Sequence, residues 1–389
     1  MKKGGIILIF LITLSTQGQA TGAYSTVMGY STTASGHYST AMGAITKASG
    51  AFTTAMGYLT VAIGDHSTAM GKGTTASGNY STAMGQSTTA SHESSTAMGD
   101  GTIAGGNYST AMGKSTEASG TASIAVGSET LASGYYSAAM GAITEASGTV
   151  STAMGYLTTA SGESSIAMGE STTATGRVST AMGESTTAIG DRSTAMGSYT
   201  TASGTVSTAM GKQTTASDYA SLVIGQYNDA GSTETIPNSS ATYYNPANTA
   251  FVIGNGTASN AKNDAFKVLF NGETTVSSHL TVNGDIVVSS DARLKANIVS
   301  LGATLAKLLL IDGKSYIMKK DGKQKIGVLA QDIQKVFPEL VSEDSNKMLA
   351  VNYLGLVSVL VNAIKEQDSK IKEQEKRLER LERLLSILN

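Results

Sequence analysis

The sequence contains no cysteine and no tryptophan, only 3 prolines, and 14% charged residues. The lack of cysteine excludes disulfides, thiolate nucleophiles and cysteine-ligated zinc or iron–sulfur sites. The four histidines, His37, His66, His92 and His279, are scattered, so we expect no metal site, no histidine triad and no cofactor. A formal net charge of −2 gives no reason to expect nucleic acid as a partner. The 44 glycines among 389 residues indicate a repetitive chain instead.

The N-terminus is typical of an export signal. Lys2 and Lys3 precede an apolar run over residues 4–14, and Gly18 and Ala20 are small residues of the kind that precede a signal-peptidase site. The run is about half as long as a membrane-spanning helix. This length favours a signal peptide over residues 1–20 rather than a membrane anchor at residues 4–14, and it predicts no stable membrane span. We expect a mature chain that is secreted or displayed on a cell surface.

A repeat of 14 residues runs from Thr21 to Gln226 without insertion or deletion. Glycine recurs at positions 29, 43, 57 and onward to 225, and methionine precedes most copies. The period is too short for helical repeats, but it fits a coil of two short strands and two glycine turns. Val126 and Ile224 replace the methionine with another apolar residue. The methionines are therefore expected to fill the core rather than to bind a metal.

The positions within the repeat differ in how freely they vary. In the second strand, the columns of Thr32 and Ala34 never change, whereas the column of Thr33 varies as an outward face would. In the first strand, all four positions of residues 25–28 and their copies are restricted, which predicts burial on both faces. One coil has one interior, so the second face should meet the same strand of another copy.

The core Ser39-Thr40-Ala41-Met42-Gly43 and its copies resemble the head repeats of trimeric autotransporter adhesins over residues 22–225. The resemblance implies a mainly β fold, a left-handed parallel β-roll solenoid of 14-residue coils in a homotrimer. It also implies an adhesive surface, with a cell-surface or glycan receptor as a partner. We assign the β-roll to residues 21–226.

Two other functions of the roll remain open, namely binding of ice and binding of carbohydrate. Threonine ladders on a flat face suit ice, but Ile124, Ala138 and Leu222 interrupt the column of Thr26, while the column of Thr32 is unbroken. No column predicts a sugar site, because the tyrosines form a broken stripe. These are Tyr24, Tyr38, Tyr80, Tyr108 and Tyr136.

Residues 227–288 are predicted to be a connector with β-hairpins. Short β-like runs at 250–253, 265–270, 279–282 and 285–288 are separated by Asn-Gly pairs at 255–256, 271–272 and 283–284. Such pairs are typical of tight turns between antiparallel strands.

The residues that follow carry several motifs in a fixed order. They are Ser289 to Ile298, Lys325 to Asp332, Val336 to Val341 and Val351-Asn352-Tyr353. This set resembles the intramolecular chaperone domain of endosialidase-type phage tailspikes and fibres, over residues 289–389. The resemblance implies a small α+β chaperone and autopeptidase domain at residues 289–360 that trimerises, guides folding of the preceding β-structure and then cuts itself off.

Carried over by position, the resemblance implies that Ser290 is the nucleophile and Lys295 the base, with Asp291, Arg293 and Asn297 as supporting residues. Either bond flanking Ser290, Ser289-Ser290 or Ser290-Asp291, is a candidate for cleavage, and Ser289 is a competing nucleophile. A lysine that loses its proton can activate a serine hydroxyl without histidine. Two alternatives remain: Ser290 and Asp291 cap a helix that begins near Ala292, and the protein is a structural fibre that does not cleave itself.

The C-terminal residues 361–389 are predicted to form a coiled coil. Apolar or amide residues occupy heptad positions, and lysine, arginine and glutamate fill the flanks. The seam comprises Val357, Leu360, Ile364, Gln367, Ile371, Gln374, Leu378, Leu381, Leu385 and Leu388.

Overall fold

The computed structural model describes residues 18–229, 240–319, 322–343 and 347–388. The body of the expected signal peptide, including the apolar run at 4–14, lies outside these residues. The chain divides into two compact units, Met1–Thr281 and Val282–Asn389. Among the described residues, no helix is both long and apolar enough to cross a membrane.

The first unit is a solenoid in which each coil contributes one long and one short strand. Within the described residues, the long strands are Thr26–Tyr30, Thr40–Ala44, Thr54–Tyr58, Thr68–Lys72, Thr82–Gln86, Thr96–Asp100, Thr110–Lys114, Ile124–Ser128, Ala138–Ala142, Thr152–Tyr156, Ile166–Glu170, Thr180–Glu184, Thr194–Ser198, Thr208–Lys212 and Leu222–Gln226. The short strands are Gln19–Ala20, Thr33–Ala34, Lys47–Ala48, Val61–Ala62, Thr75–Ala76, Thr89–Ala90, Ile103–Ala104, Glu117–Ala118, Leu131–Ala132, Glu145–Ala146, Thr159–Ala160, Thr173–Ala174, Thr187–Ala188, Thr201–Ala202 and Thr215–Ala216.

Each strand pairs in parallel with the strand 14 residues away. Thr82 lies beside Thr96 in the long-strand sheet, and Thr89 lies beside Ile103 in the short-strand sheet. Because the pairing repeats at the sequence period, every column of the repeat becomes a straight ladder along the solenoid. The predicted β-solenoid of 14-residue coils is therefore confirmed.

The interior of the solenoid is built almost entirely from small side chains. The two alanine columns, represented by Ala34 and Ala41, are fully buried, and the columns of Thr32 and Ser39 line the same interior. The column of Thr33 points outward, as predicted. The prediction that methionines fill the core is wrong for the single chain, because Met42 and most of its copies are half-buried on the outward face of the long strands. Alternation along a strand places Met42 opposite to Ala41.

One glycine column lies inside the long strands and lets neighbouring coils approach closely. A Cβ atom on Gly113 would lie 1.9 Å from the carbonyl oxygen of Gly127, and the φ angle of Gly113 is +124°. The left-handed α positions of the two turns are occupied mostly by other residues, such as Ser31 with φ 52° and Tyr38 with φ 54°, and by glycine at Gly73 and Gly101. The column of Gly113 therefore tolerates no side chain, whereas the turn columns do. The second glycine column, that of Gly36, carries His92 and Asp218.

The solenoid continues past the last repeat. Strand Thr249–Asn255 pairs in parallel with Leu222–Gln226, and strands Asp264–Leu269 and Thr274–Val276 follow it in antiparallel pairing. Two of the β-like runs predicted in the connector thus form a hairpin, but residues 279–282 and 285–288, which are described, form no strand.

The second unit contains two small antiparallel sheets and several helices. The sheets pair Lys314–Ile317 with Gln324–Gly327 and Val341–Glu343 with Leu349–Val351. The helices are α1 (Leu305–Leu308), α2 (Ala330–Val336) and α3 (Tyr353–Leu388), and 3-10 helices cover Ala292–Leu294 and Pro338–Leu340. This arrangement confirms the predicted small α+β architecture. Most of the predicted coiled-coil segment lies within α3, and its pairing with other copies stays a prediction.

The core of the second unit forms where α2 packs on α3. Ile333, Phe337 and Val359 are buried, and Leu308, Val328 and other apolar residues surround them. Pro338 begins a 3-10 helix directly after α2, as expected for a residue that cannot continue an α-helix. In contrast, seam residues of α3 remain exposed, for example Ile371 at 46% and Leu378 at 58%.

Candidate active site

The candidate dyad lies in a segment that leads from the end of the hairpin strands into the second unit. Residues 284–303 are exposed, including Ile286, Val287 and Val288, which are apolar. Hydrophobic side chains in such a run normally pack against something. In the single chain this segment therefore lacks a packing surface.

Within this segment, Lys295 bends back to Ser290. Its Nζ atom donates to the hydroxyl Oγ of Ser290 at 2.7 Å and to the carbonyl oxygen of Ser290 at 3.1 Å. The 3-10 helix Ala292–Leu294 reverses the chain between the two residues and so brings together side chains five positions apart. The contact has the geometry of a base next to its nucleophile. Both side chains are exposed.

Asp291 and Arg293 stabilise this turn. The Asp291 carboxylate accepts a hydrogen bond from the backbone N–H of Arg293 at 2.8 Å and one from the Arg293 guanidinium at 2.7 Å. These bonds to the Arg293 side chain and backbone lower the pKa of Asp291. Asp291 therefore caps the short helix that begins at Ala292. The helix-cap interpretation holds for Asp291, while the Ser290 hydroxyl contacts Lys295 instead.

The other two residues singled out from the sequence take different places. Asn297 adopts a left-handed backbone conformation with φ 53°, as asparagine does more readily than most residues. Ser289 is exposed in the same extended segment.

Sequence reasoning missed a tether between helices α1 and α3. The Glu366 carboxylate on α3 accepts hydrogen bonds from the backbone N–H and the hydroxyl of Thr304 and from the N–H of Leu305, at the N-terminus of α1. The hydrogen bonds to Thr304 and Leu305 lower the pKa of Glu366. The residues are 62 positions apart, so no local pattern links them.

A second feature missed from the sequence is a continuous aromatic ladder on the roll. Tyr24, Tyr38, Phe52, His66 and Tyr80 occupy one column and stack with ring centroids 4.9–5.0 Å apart. The stripe that appeared broken is therefore continuous over these five coils, because Phe52 and His66 fill the gaps. The rings cover one another's faces, which leaves their edges outward and removes the flat platform that a sugar ring would need.

Comparison with known proteins identifies both parts of the chain. Residues 20–44, 48–74, 76–102, 104–130, 132–158, 160–177, 174–200 and 202–228 match the YadA head domain repeat, which is more than half of the chain. Residues 290–342 match the family described as chaperone of endosialidase. This second match includes Ser290 and Lys295.

Similar curated proteins are long tail fibres of bacteriophages. Long tail fiber protein Gp37 of Escherichia phage AR1 is 35% identical over 92 residues, 21% of this chain and 8% of the relative. The protein of the same name from Salmonella phage S16 is 30% identical over 139 residues, 30% of this chain and 19% of the relative. That of Enterobacteria phage M1 is 31% identical over 99 residues, 23% of this chain and 39% of the relative.

The chain spans less than two fifths of the length of these relatives. The repeat, the solenoid and the family match all cover the same residues. The chain therefore belongs to the family of proteins with YadA head domain repeats, and it carries a chaperone of endosialidase domain after them.

Proposed function

We propose that this protein is an exported, homotrimeric fibre whose C-terminal domain assembles the three chains and then cuts itself off at Ser290. The observation that carries the proposal is the 2.7 Å contact between Lys295 Nζ and Ser290 Oγ inside an exposed segment. The tail-fibre relatives support a fibrous appendage, and the head repeats support a surface that engages a cell-surface or glycan receptor.

The cleavage step uses only groups of this chain. Neutral Lys295 accepts the proton of the Ser290 hydroxyl while Oγ attacks a neighbouring peptide carbonyl. When the carbon–nitrogen bond breaks, the leaving nitrogen takes a proton from Lys295, and an ester to Ser290 remains. Water then hydrolyses the ester to a carboxylic acid and restores the hydroxyl. Attack occurs within one chain, so proximity replaces the binding of a second substrate. Attack on the carbonyl of Ser289 breaks the Ser289-Ser290 bond. The other candidate, Ser290-Asp291, would require Oγ to attack the carbonyl of Ser290 itself and release the Asp291 nitrogen through a four-membered lactone that water then opens.

Trimerisation supplies what the single chain lacks at this site. An exposed lysine is protonated at neutral pH and is no base, whereas burial in an apolar setting lowers a lysine pKa. The exposed run Ile286–Val288 beside the dyad offers the apolar surface for such burial. We therefore expect cleavage only after other copies cover this segment.

Two further surfaces support association of three chains. The outward face of the long strands carries Thr40, Met42 and their copies, which are restricted in sequence yet only half-buried in one chain. The seam of α3 is exposed although its residues are apolar. Packing the first surface between chains and the second as a coiled coil would bury both.

The chaperone role follows from the repetition. Neighbouring coils are so alike that three chains could pair out of register by 14 residues at little cost. A C-terminal trimer sets the register before the rolls pair, and cleavage then leaves a kinetically trapped product.

A structural fibre that does not cleave itself is the second candidate. It is favoured by the cap that Asp291 forms on the Ala292–Leu294 helix, since this cap gives the motif a structural role. Ice binding loses its main support, because the unbroken column of Thr32 faces the interior and is not available to water.

The test is intact-mass spectrometry and native sizing of the full chain beside the Ser290→Ala and Lys295→Arg variants. We expect a C-terminal fragment of about 100 residues from the wild type only, since arginine keeps the charge but is too basic to accept the proton. All three proteins should be trimeric. An uncut trimeric wild type would support the structural fibre, and cleavage in Ser290→Ala would assign the nucleophile elsewhere.

A further inference from the structure

One outward face of the roll carries two matching apolar clusters. This turn face consists of the residues that recur every 14 positions from Tyr30, Ser31 and Thr33. On it, Ile45 and Leu59 occupy adjacent coils, and Ile143 and Leu157 do so seven coils further on. All four side chains are 41–43% exposed. A shallow depression of about 240 Å³ lies between Leu131, Ile143 and Leu157 in the second cluster.

The isoleucines sit where the backbone disfavours them. Ile45 and Ile143 have φ values of 58° and 54°, in the left-handed region that β-branched residues rarely adopt. Between the two clusters the same column carries Gly73, Ser87, Gly101 and other small or polar residues. A bulky apolar side chain that is both strained and exposed, and that occurs twice, indicates a contact surface rather than a requirement of folding.

The charges on the turn face change sign along the roll. Its N-terminal part, as far as Thr89, carries Lys47 and Lys72 and no carboxylate. Its middle carries Asp100, which lies beside Lys114 of the next coil. Its C-terminal part, from Ile103 to Thr173, carries four carboxylates and one lysine. These are Lys114, Glu117, Glu129, Glu145 and Glu170. Two copies side by side in the same direction would place like charges together, whereas two copies in opposite directions would pair basic with acidic halves.

We propose that the turn face binds the turn face of a second copy that runs antiparallel to it. A two-fold axis beside Gly101 pairs coils that lie equally far from Gly101 on its two sides. Ile45 and Leu157, each four coils from Gly101, face each other across the two copies. Leu59 and Ile143, each three coils from Gly101, do the same. Each apolar cluster thereby meets the other cluster of the partner copy. The contact is self-complementary and closed, as two-fold contacts are.

The same axis matches the charges on both sides of its centre. At the centre Asp100 lies near the Asp100 of the partner copy, and Lys114 beside each Asp100 offsets this like-charge contact. It places the coil of Lys72 in one copy opposite the coil of Glu129 in the other, since each lies two coils from Gly101. Lys47 comes within one coil of Glu145, an offset of about 4.8 Å that a lysine side chain can span. Gly73, Ser87, Gly101 and Ser115 between the clusters are small enough for the two faces to approach.

This contact is separate from the proposed trimer. The turn face lies at the turn and on the short strands, whereas the proposed trimer uses the outward face of the long strands, with Thr40 and Met42. Antiparallel pairing would therefore join one fibre to another. Failure of either proposal leaves the other standing.

Charge reversal tests the contact on the full chain. In about 50 mM salt, sedimentation of the wild type should show species larger than its basic unit, whether that unit is a trimer or a monomer. In about 500 mM salt these larger species should disappear. Lys47→Glu or Glu145→Lys alone should weaken the association by about tenfold or more, because each change occurs twice across the axis. The combined Lys47→Glu and Glu145→Lys variant should restore it. Glu184→Lys, on the same face beyond the overlap, should leave it unchanged.

Cysteine cross-linking tests the direction of pairing, since the chain has no cysteine of its own. A Cβ atom at Gly101 meets nothing closer than 3.8 Å, so Gly101→Cys causes no clash, and its φ of +64° is a strain that Ser87 and Ser115 in the same column also bear. It should form a disulfide-linked pair under mild oxidation in low salt. Ser185→Cys, in the same column with φ 50°, should not form a disulfide-linked pair. In the antiparallel contact, the position opposite Ser185 in the partner copy would lie before the first long strand.

Three outcomes would overturn the proposal. The first is equal cross-linking of Gly101→Cys and Ser185→Cys, which would indicate parallel pairing. The second is failure of the combined Lys47→Glu and Glu145→Lys variant to restore association. The third is a wild type that does not associate beyond the trimer in low salt.

Discussion

At the scale of single residues, this protein combines near-identical repeats with a few positions that carry chemistry. Ser290 and Lys295 are in contact, but the wider segment that holds them is exposed. The geometry of the pair is local, because one turn of 3-10 helix sets it. The environment that would make Lys295 a base is not local, and we assign it to neighbouring copies.

Asp264, at the C-terminal end of the solenoid, is expected to make stability depend on pH. Burial, together with the nearby charge of Asp229, raises its pKa to about 6, although the Asp229 N–H donates to it at 2.9 Å and Lys267 lies nearby. A raised folded-state pKa contributes stability below about pH 4 that is lost as the pH rises through about 6. Asp264→Asn should therefore be more stable than the wild type at pH 8 by roughly 1 kcal/mol, and little different at pH 4.

Chemical unfolding of the full chain at the two pH values measures this difference. Asp285→Asn, at an exposed position, is the matched control and should change nothing. Equal effects of Asp264→Asn at pH 4 and pH 8 would show that burial does not raise the pKa of Asp264.

At the scale of the coil, a glycine inside a long strand and a glycine in a turn should respond differently to the same substitution. Gly113→Ala places a Cβ atom 1.9 Å from the Gly127 carbonyl oxygen at φ +124°, so neighbouring coils must separate. We expect a loss of roughly 3 kcal/mol in unfolding free energy. Gly101→Ala, at φ +64° with Ser115 Oγ 3.8 Å from the added Cβ atom, makes only ordinary contacts and should cost roughly 1 kcal/mol or less.

Urea unfolding monitored by circular dichroism compares the two variants. A similar loss for both would mean that only conformational entropy matters and that close stacking of the coils does not.

The hydrogen bonds from Thr304 and Leu305 to Glu366, which tether α1 to α3, are expected to make the stability of α1 depend on pH. The hydrogen bonds from Thr304 and Leu305 lower the pKa of Glu366, so its contribution to stability is present above its ordinary pKa and is lost as the pH falls through the lowered value. Glu366→Gln should detach the N-terminus of α1 at neutral pH, with a smaller effect at acidic pH. Hydrogen exchange of residues 304–309 would measure this, with the exposed Glu373→Gln as control. Unchanged protection at neutral pH would argue against the tether.

At the scale of the whole molecule, assembly and cleavage are expected to be linked through α3. Leu378→Asp places a charge in the exposed apolar seam, which a coiled coil would have to bury. We expect loss of the trimer on native sizing and, with it, loss of the C-terminal fragment. Arg377→Asp introduces the same residue on the flank of the helix and should preserve both. Cleavage by a monomeric Leu378→Asp protein would show that burial by other copies is not needed.

The arrangement of the roll could be read from the sequence because each column has the same surroundings in every coil. The invariance of Thr32 and Ala34 and the variation at Thr33 predicted which side chains point inward, and the structure agrees. The same reasoning was wrong about Met42, since restriction at a position shows that it is constrained but not by which surface. The ladder through Phe52 and His66 also escaped notice, because stacking depends on ring shape rather than residue identity.

The sequence by itself determined the 14-residue coil, the order of the two parts and the candidate residues Ser290 and Lys295. The coil and the order of the parts follow from patterns that repetition and local backbone geometry turn directly into structure, whereas Ser290 and Lys295 follow from the resemblance of their motif to the chaperone family. Only the tertiary structure decided that the methionine column faces outward, that Glu366 holds helix α1, and that the rings from Tyr24 to Tyr80 form a continuous stack. These depend on contacts between residues distant in the chain, and packing rather than local preference selects them.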